Sequence, residues 1–155
     1  MAGVGMYLSP DWLSAMRRYV LAVTVGNAVW EIAQLPFYTL WESGTSQQIA
    51  FAVLHCTVGD VLIASAALLG ALLFVGAPDW PRTHAKRTAF VSIAVGLAYS
   101  ISSEFWNTAV QKTWAYSQLM PVLPWLRIGL TPFLQWLVVP PLALLWALRL
   151  PRTRA

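Results

Sequence analysis

Three carboxylic acids and one histidine stand in stretches that are otherwise oily: Glu31 in VGNAVWEIAQLPFY, His55 and Asp60 in AFAVLHCTVGDVLIA, and Glu104 in GLAYSISSEFWNTAV. Groups of this kind lend themselves to three chemistries. Carboxyls in different protonation states form a donor and acceptor pair for acid and base catalysis. A histidine among acids is a nitrogen and oxygen donor set for iron, manganese or zinc. Carboxylates inside a membrane also carry protons or ions. No HExxH or Glu-x-x-His spacing singles out the metal, so the choice rests on what positions these residues.

The chain of 155 residues is 58% hydrophobic and 10% charged, with a mean hydropathy of +0.60. That composition predicts an integral membrane protein, and the length predicts a single domain, residues 1–155. A spanning helix needs about 20 apolar residues. Four segments qualify, approximately 19–41, 49–75, 88–110 and 128–150, giving an all-α bundle of four transmembrane helices. MAGVGMYLSPDWLSAM has no positive region ahead of an apolar run, so the first hydrophobic segment is expected to remain as an anchor. The single cysteine, Cys56, excludes an intramolecular disulfide and any CxxC motif.

Arg17, Arg18, Arg82, Lys86, Arg87, Arg149, Arg152 and Arg154 fall on one side of these spans, and only Lys112 and Arg127 on the other. The positive-inside rule then predicts both termini in the cytoplasm. Because topology accounts for the basic residues, the net charge of +4 calls for no nucleic-acid partner. Trp41, Trp114, Tyr116 and Trp125 at one boundary, and Trp12, Trp80 and Trp146 at the other, suit interfacial aromatic belts.

The polar residues inside the spans recur at helical spacing. Thr24, Asn27, Glu31, Gln34 and Tyr38 share one face of the first helix, and Ser100, Ser103, Glu104 and Asn107 one face of the third. Cys56 and Asp60 lie one turn apart on the second helix with His55 beside them, and Thr131 and Gln135 lie on the fourth. At about 1.5 Å per residue these stripes converge on the outer half of the membrane. The expected site is therefore a polar cavity of Glu31, His55, Asp60, Glu104 and Asn107 shared by four helices. Within the spans no Lys or Arg neutralises the acids, and even mild insertion scales charge at least ~2.5 kcal/mol for one ion at the bilayer centre. Such a site must protonate, hold a cation or admit water.

In the first reading Glu31 and Glu104 exchange protons with a lipophilic, isoprenoid- or sterol-like substrate during isomerisation, hydration or cyclisation. Asp60 and His55 tune or relay. Asn27, Gln34, Tyr38, Asn107 and Gln135 bind the substrate, while Trp30, Trp106 and Trp136 stabilise a cationic intermediate through their ring faces. No cofactor is expected. In the second reading Glu31, His55, Asp60 and Glu104 hold or pass on a transition-metal ion or another cation. A third reading, a structural subunit, treats Gln34, Ser103 and Thr131 as interhelical hydrogen-bonders. Pro140 and Pro141 deprive the carbonyls of Trp136 and Leu137 of helical partners and predict a kink. The loop around LMPVLPW, with its Trp and Tyr neighbours, is placed to form a lid. Four short helices also leave surface for a homo-oligomer.

Four spans, acids in successive helices and the late PFLQWLVVPPL and GLAYSISSE segments resemble the EXPERA group of emopamil-binding sterol isomerases and the sigma-2 receptor. The resemblance implies a lipid-accessible pocket in which Glu31, Asp60 and Glu104, matched by helix order, act on a sterol-like ligand or bind an amine. His55 has no clear counterpart in that pattern.

Overall fold

The computed structural model describes residues 10–149, and the leading residues 1–9 and the trailing residues 150–155, with Arg152 and Arg154, lie outside that range. Helix α1 runs Pro10–Gln34 and is followed by a 3-10 turn, Leu35–Phe37, and a single-turn helix α2, Leu40–Ser43. Helices α3, Ser46–Val75, and α4, Ala85–Phe105, come next; α4 ends in a π-helical turn, Trp106–Val110. A two-residue antiparallel pair, β1 at Val122–Leu123 and β2 at Ile128–Gly129, leads into α5, Leu130–Ala147. The architecture is all-α, and α1, α3, α4 and α5 are each long and apolar enough to cross a membrane.

Local chemistry sets the ends of these helices. Pro10 opens α1 with acidic Asp11 in the first turn, where a missing N–H costs nothing and the helix dipole favours negative charge. Pro36 lacks the N–H that would continue the helix, so α1 stops at Gln34, seven residues short of the expected Trp41. Thr45 and Gln48 form a reciprocal capping box at the start of α3, and Gly76 closes it in the left-handed conformation at φ 64°. α4 gives way to the wider π turn after Phe105, and Ile128 and Gly129, expected to open the last span, pair with β1 instead. α5 contains both Pro140 and Pro141 and continues through them as one helix.

The helices close into a ring in which α1 packs on α3 and α5, and α4 packs on α3 and α5. One half of the ring is an apolar core of Ala15, Tyr19, Val23, Leu68, Trp80 and Leu144. Trp80 is only 1% exposed, so it is a core residue and not part of an aromatic belt. The loop before α4 folds under the bundle, where Arg82 bonds Asp11, while Arg18 donates to the carbonyl of Arg149. Among the described residues, the basic side chains expected on one side thus gather at this end.

Close approach of α4 and α5 depends on Gly96: a Cβ there would lie 2.2 Å from a ring carbon of Trp136. Gly70 faces open space, with nothing within 4 Å of the same construction. Gly96→Ala should therefore destabilise the detergent-solubilised protein by about 1–3 kcal/mol through overpacking. Gly70→Ala should be neutral or stabilising by up to about 1 kcal/mol from helix propensity. Unfolding of the two variants side by side checks the contrast.

Candidate functional site

The polar stripes do converge. Gln135, on α5, points its amide into the bundle, and its Nε2 approaches three acceptors: Asp60 Oδ2 of α3 at 2.7 Å, Glu31 Oε1 of α1 at 3.1 Å and Asn27 Oδ1 of α1 at 3.1 Å. Gln34 adds its own Nε2, 2.9 Å from Glu31 Oε1 and 3.4 Å from Gln135 Oε1. The carboxyls of Glu31 and Asp60 also lie within hydrogen-bond reach of each other. An amide nitrogen carries two hydrogens, so Gln135 cannot serve all three acceptors at once.

Glu104, on α4, has a different set of partners. Its Oε1 accepts from Tyr116 Oη at 2.6 Å and from Tyr38 Oη at 3.2 Å. Tyr116 in turn accepts from the backbone N–H of Gly129 at 2.7 Å, which fixes its hydroxyl hydrogen toward the carboxylate. The Trp114 indole lies beside the same carboxyl without closing a hydrogen bond. Tyr38 and Tyr116 pair across an isolated antiparallel bridge with ring centroids 5.6 Å apart. That bridge continues in Thr39 N–H to Ala115 O at 3.0 Å and Ser117 N–H to Phe37 O at 2.9 Å. The segment after α1 and the loop after α4 are thereby zipped together over the carboxylate, as a lid of tyrosines.

Both clusters line one cavity of about 610 Å³ with the walls Glu31, Gln34, Tyr38, His55, Asp60, Ser103, Glu104, Asn107, Trp114, Gln135 and Trp136 among others; among the described residues no lysine or arginine lines it. His55 sits at the rim, exposed and stacked on Phe51 with ring centroids 5.5 Å apart. Asn107 bonds within its own helix, to the carbonyl of Ser103 at 2.9 Å, and its Oδ1 accepts from Thr113 at 2.8 Å. Asn27 is buried behind the cavity as a support for Gln135. Trp30 lies outside the lining and ties α1 to α5 through the carbonyl of Thr131 at 3.2 Å, and Trp106 is 53% exposed on the outer surface. Of the three expected aromatic walls, only Trp136 faces the cavity. Among the described residues no three His, Cys, Asp or Glu side chains come together as a metal-ligating group.

Tyr116 and Trp114 were expected at the membrane boundary, and nothing in their spacing relates them to Glu104, twelve and ten residues earlier across an irregular loop. Only the fold brings them back. No protein family, curated protein or solved structure matches the chain.

Burial, and secondarily the charge of Glu104, raises the Tyr38 phenol well above its ordinary value of 10.0; burial and then the hydrogen bond to Glu104 push Tyr116 up in the same direction. Unfolded phenols ionise near 10 while these two stay neutral, so their contribution to stability is complete below pH 10 and declines as the pH rises above it. Alkaline absorbance titration should show two fewer late-ionising phenols in the Tyr38→Phe, Tyr116→Phe double variant than in the parent protein. Tyr116→Phe removes a donor to Glu104 and the acceptor of Gly129 N–H, and should cost about 1–3 kcal/mol in the unfolding free energy.

Proposed function

We propose that this protein is an integral membrane enzyme that uses its buried carboxyls for acid and base chemistry on a lipophilic, isoprenoid- or sterol-like substrate. The observation that carries the reading is the shortage of donors around Gln135. Asn27, Glu31 and Asp60 compete for two amide hydrogens, the two carboxyls lie within hydrogen-bond reach of each other, and among the described residues no lysine or arginine lines the cavity. A proton held between Glu31 and Asp60 resolves the shortage and leaves one carboxylic O–H and one carboxylate facing the cavity. Glu104, held by two phenols and not by a cation, is a second acceptor at the opposite wall.

In this mechanism the O–H of the Glu31 and Asp60 pair delivers a proton to a double bond or an oxygen of the substrate. Glu104 then takes a proton from a neighbouring carbon, with Tyr38 and Tyr116 absorbing the change in charge by shifting their hydrogen bonds. Trp136 offers a ring to a transient cation. Atoms balance, since one proton enters and one leaves, and the pair is reset by transfer through the cavity. The resemblance to the EXPERA group favours the same substrate class. The alternative, cation or metal binding by Glu31, His55, Asp60 and Glu104, draws on the same acids and is separated by the same sample.

Elemental analysis and mass spectrometry of an organic extract, made on one detergent-purified preparation, form the test. We expect a bound isoprenoid or sterol-like lipid and no metal near one per chain. Conversion of that lipid should fall by at least about 100-fold in Glu31→Gln or Asp60→Asn. A near-stoichiometric metal that vanishes in Glu31→Gln overturns proton transfer in favour of the metal reading, and unaltered properties in both variants reduce the site to structure.

Orientation belongs to the same proposal, with both termini cytoplasmic and the tyrosine lid facing outward. A cysteine introduced as Lys112→Cys should react with an impermeant maleimide from outside intact cells, and one introduced as Lys86→Cys should react only after permeabilisation.

A further inference from the structure

A second hollow, about 760 Å³ and almost wholly apolar, lies between α3 and α4. It is lined from Leu62 to Phe74 on one side and from Val91 to Tyr99 on the other. Ile63 and Tyr99 belong to its wall and to the wall of the carboxyl cavity alike. The two spaces therefore meet at that pair of side chains. On α3, Gly59 faces the cavity, Ile63 the junction, and Ala66, Gly70 and Phe74 the hollow. These positions recur every three or four residues, so they form one stripe of the helix, about 22 Å long from Gly59 to Phe74. Val91, Val95, Tyr99 and Ser103 form the facing stripe on α4 at steps of four. Gly59 and Gly70 both leave open space where a side chain would stand, so the track lacks bulk at these two positions. Phe51 and Tyr99, on the α3 and α4 sides of the cavity mouth, are 68% and 54% exposed, so the mouth opens sideways between these helices.

The polar end of the track asks for a particular group. Gln34 is 5% exposed, and its Oε1 lies buried without a hydrogen-bond partner in the cavity wall. Its amide orientation is set by the two bonds from Nε2 to Glu31 and Gln135. A buried acceptor left unpaired costs about 1–3 kcal/mol. A hydroxyl entering the cavity supplies the missing donor and, through its own oxygen, accepts a hydrogen bond.

From these two features we propose that the substrate of this site is a linear long-chain alcohol of isoprenoid type, which enters from the bilayer between α3 and α4, lays its chain along the apolar track and places its hydroxyl at Gln34. The inference rests on the acid and base reading of the cavity and narrows its substrate class from sterol-like to linear. The lipid side supplies both the substrate and the route, because the hollow lies between two helices long and apolar enough to cross a membrane.

Photolabelling of the protein in phospholipid nanodiscs tests this, with a linear long-chain alcohol that carries a diazirine at its far end as the probe. We expect saturable adducts on the peptide containing Ala66 to Phe74 or the one containing Val91 to Val95. Geranylgeraniol should compete and cholesterol should not, and geranylgeranyl methyl ether, which lacks the hydroxyl hydrogen, should compete about 10-fold less well, the factor for a hydrogen bond of about 1.4 kcal/mol. Gly70→Trp and Val95→Trp fill the track from opposite walls, and each should reduce the saturable labelling at least about 10-fold, whereas Leu69→Trp on the neighbouring lipid-facing surface should not. Loss of saturable labelling in Leu69→Trp as well, equal competition by cholesterol, or labelling unmoved by both filling variants overturns the proposal. If the labelling pattern holds while Glu31→Gln and Asp60→Asn leave lipid conversion untouched, the catalytic reading fails and the track stands.

Discussion

Inside a bilayer there is no water to satisfy a polar group, so each buried carboxyl in this protein needs partners drawn from elsewhere in the fold. The Gln135 amide meets that need for two of them at once. Reaching Asn27 and Glu31 on α1 and Asp60 on α3, it joins three of the four long helices at one nitrogen. The position and rotation of α5 follow from it, as do the packing of Trp136 against Gly96 and the stacking of Val139 over Gly26. α4, the remaining helix, is tied in through Glu104 and the two phenols.

That constraint divides the bundle into unlike halves. At the end where the basic residues gather, Ala15, Tyr19, Leu68 and Leu144 pack as an ordinary apolar core. In the other half the same four helices surround a cavity, because amide and carboxyl side chains that must reach one another cannot also fill the space with hydrocarbon. A cavity walled by acids and free of lysine and arginine is therefore a by-product of how the acids are satisfied. It is also what supports the proton-transfer proposal, since among the described residues no lysine or arginine lines the walls.

The lid completes the enclosure by a different device. Pro36 ends α1 early, and Tyr38, extended between the 3-10 turn and α2, bridges Tyr116 while its neighbours Phe37 and Thr39 bond the backbone of Ser117 and Ala115. The pairing carries Tyr38 and Tyr116 over Glu104, so a helix-breaking residue indirectly positions a carboxylate on another helix. The junction of the cavity with the apolar track at Ile63 and Tyr99 gives this enclosure a lateral mouth, consistent with a ligand that arrives dissolved in lipid.

Four apolar segments, the stripes of Glu31, Asp60, Glu104 and Gln135, and their meeting in one half of the bundle are all consequences of hydropathy and of the 3.6-residue period, and both are properties of the sequence alone. The helix ends were legible only in part, because Pro36 and the pairing of Ile128 and Gly129 override an apolar window that runs past them. Which aromatic residues face the cavity was not legible: Trp30, Trp106 and Trp136 look alike by depth, yet the rotation of each helix turns only Trp136 inward. Tyr116 and Trp114 reach Glu104 through an irregular loop, and Trp80 enters the core by the same kind of route. Periodicity carries information along a regular helix and none around a turn, so the acids were determined by the sequence and their partners by the tertiary structure.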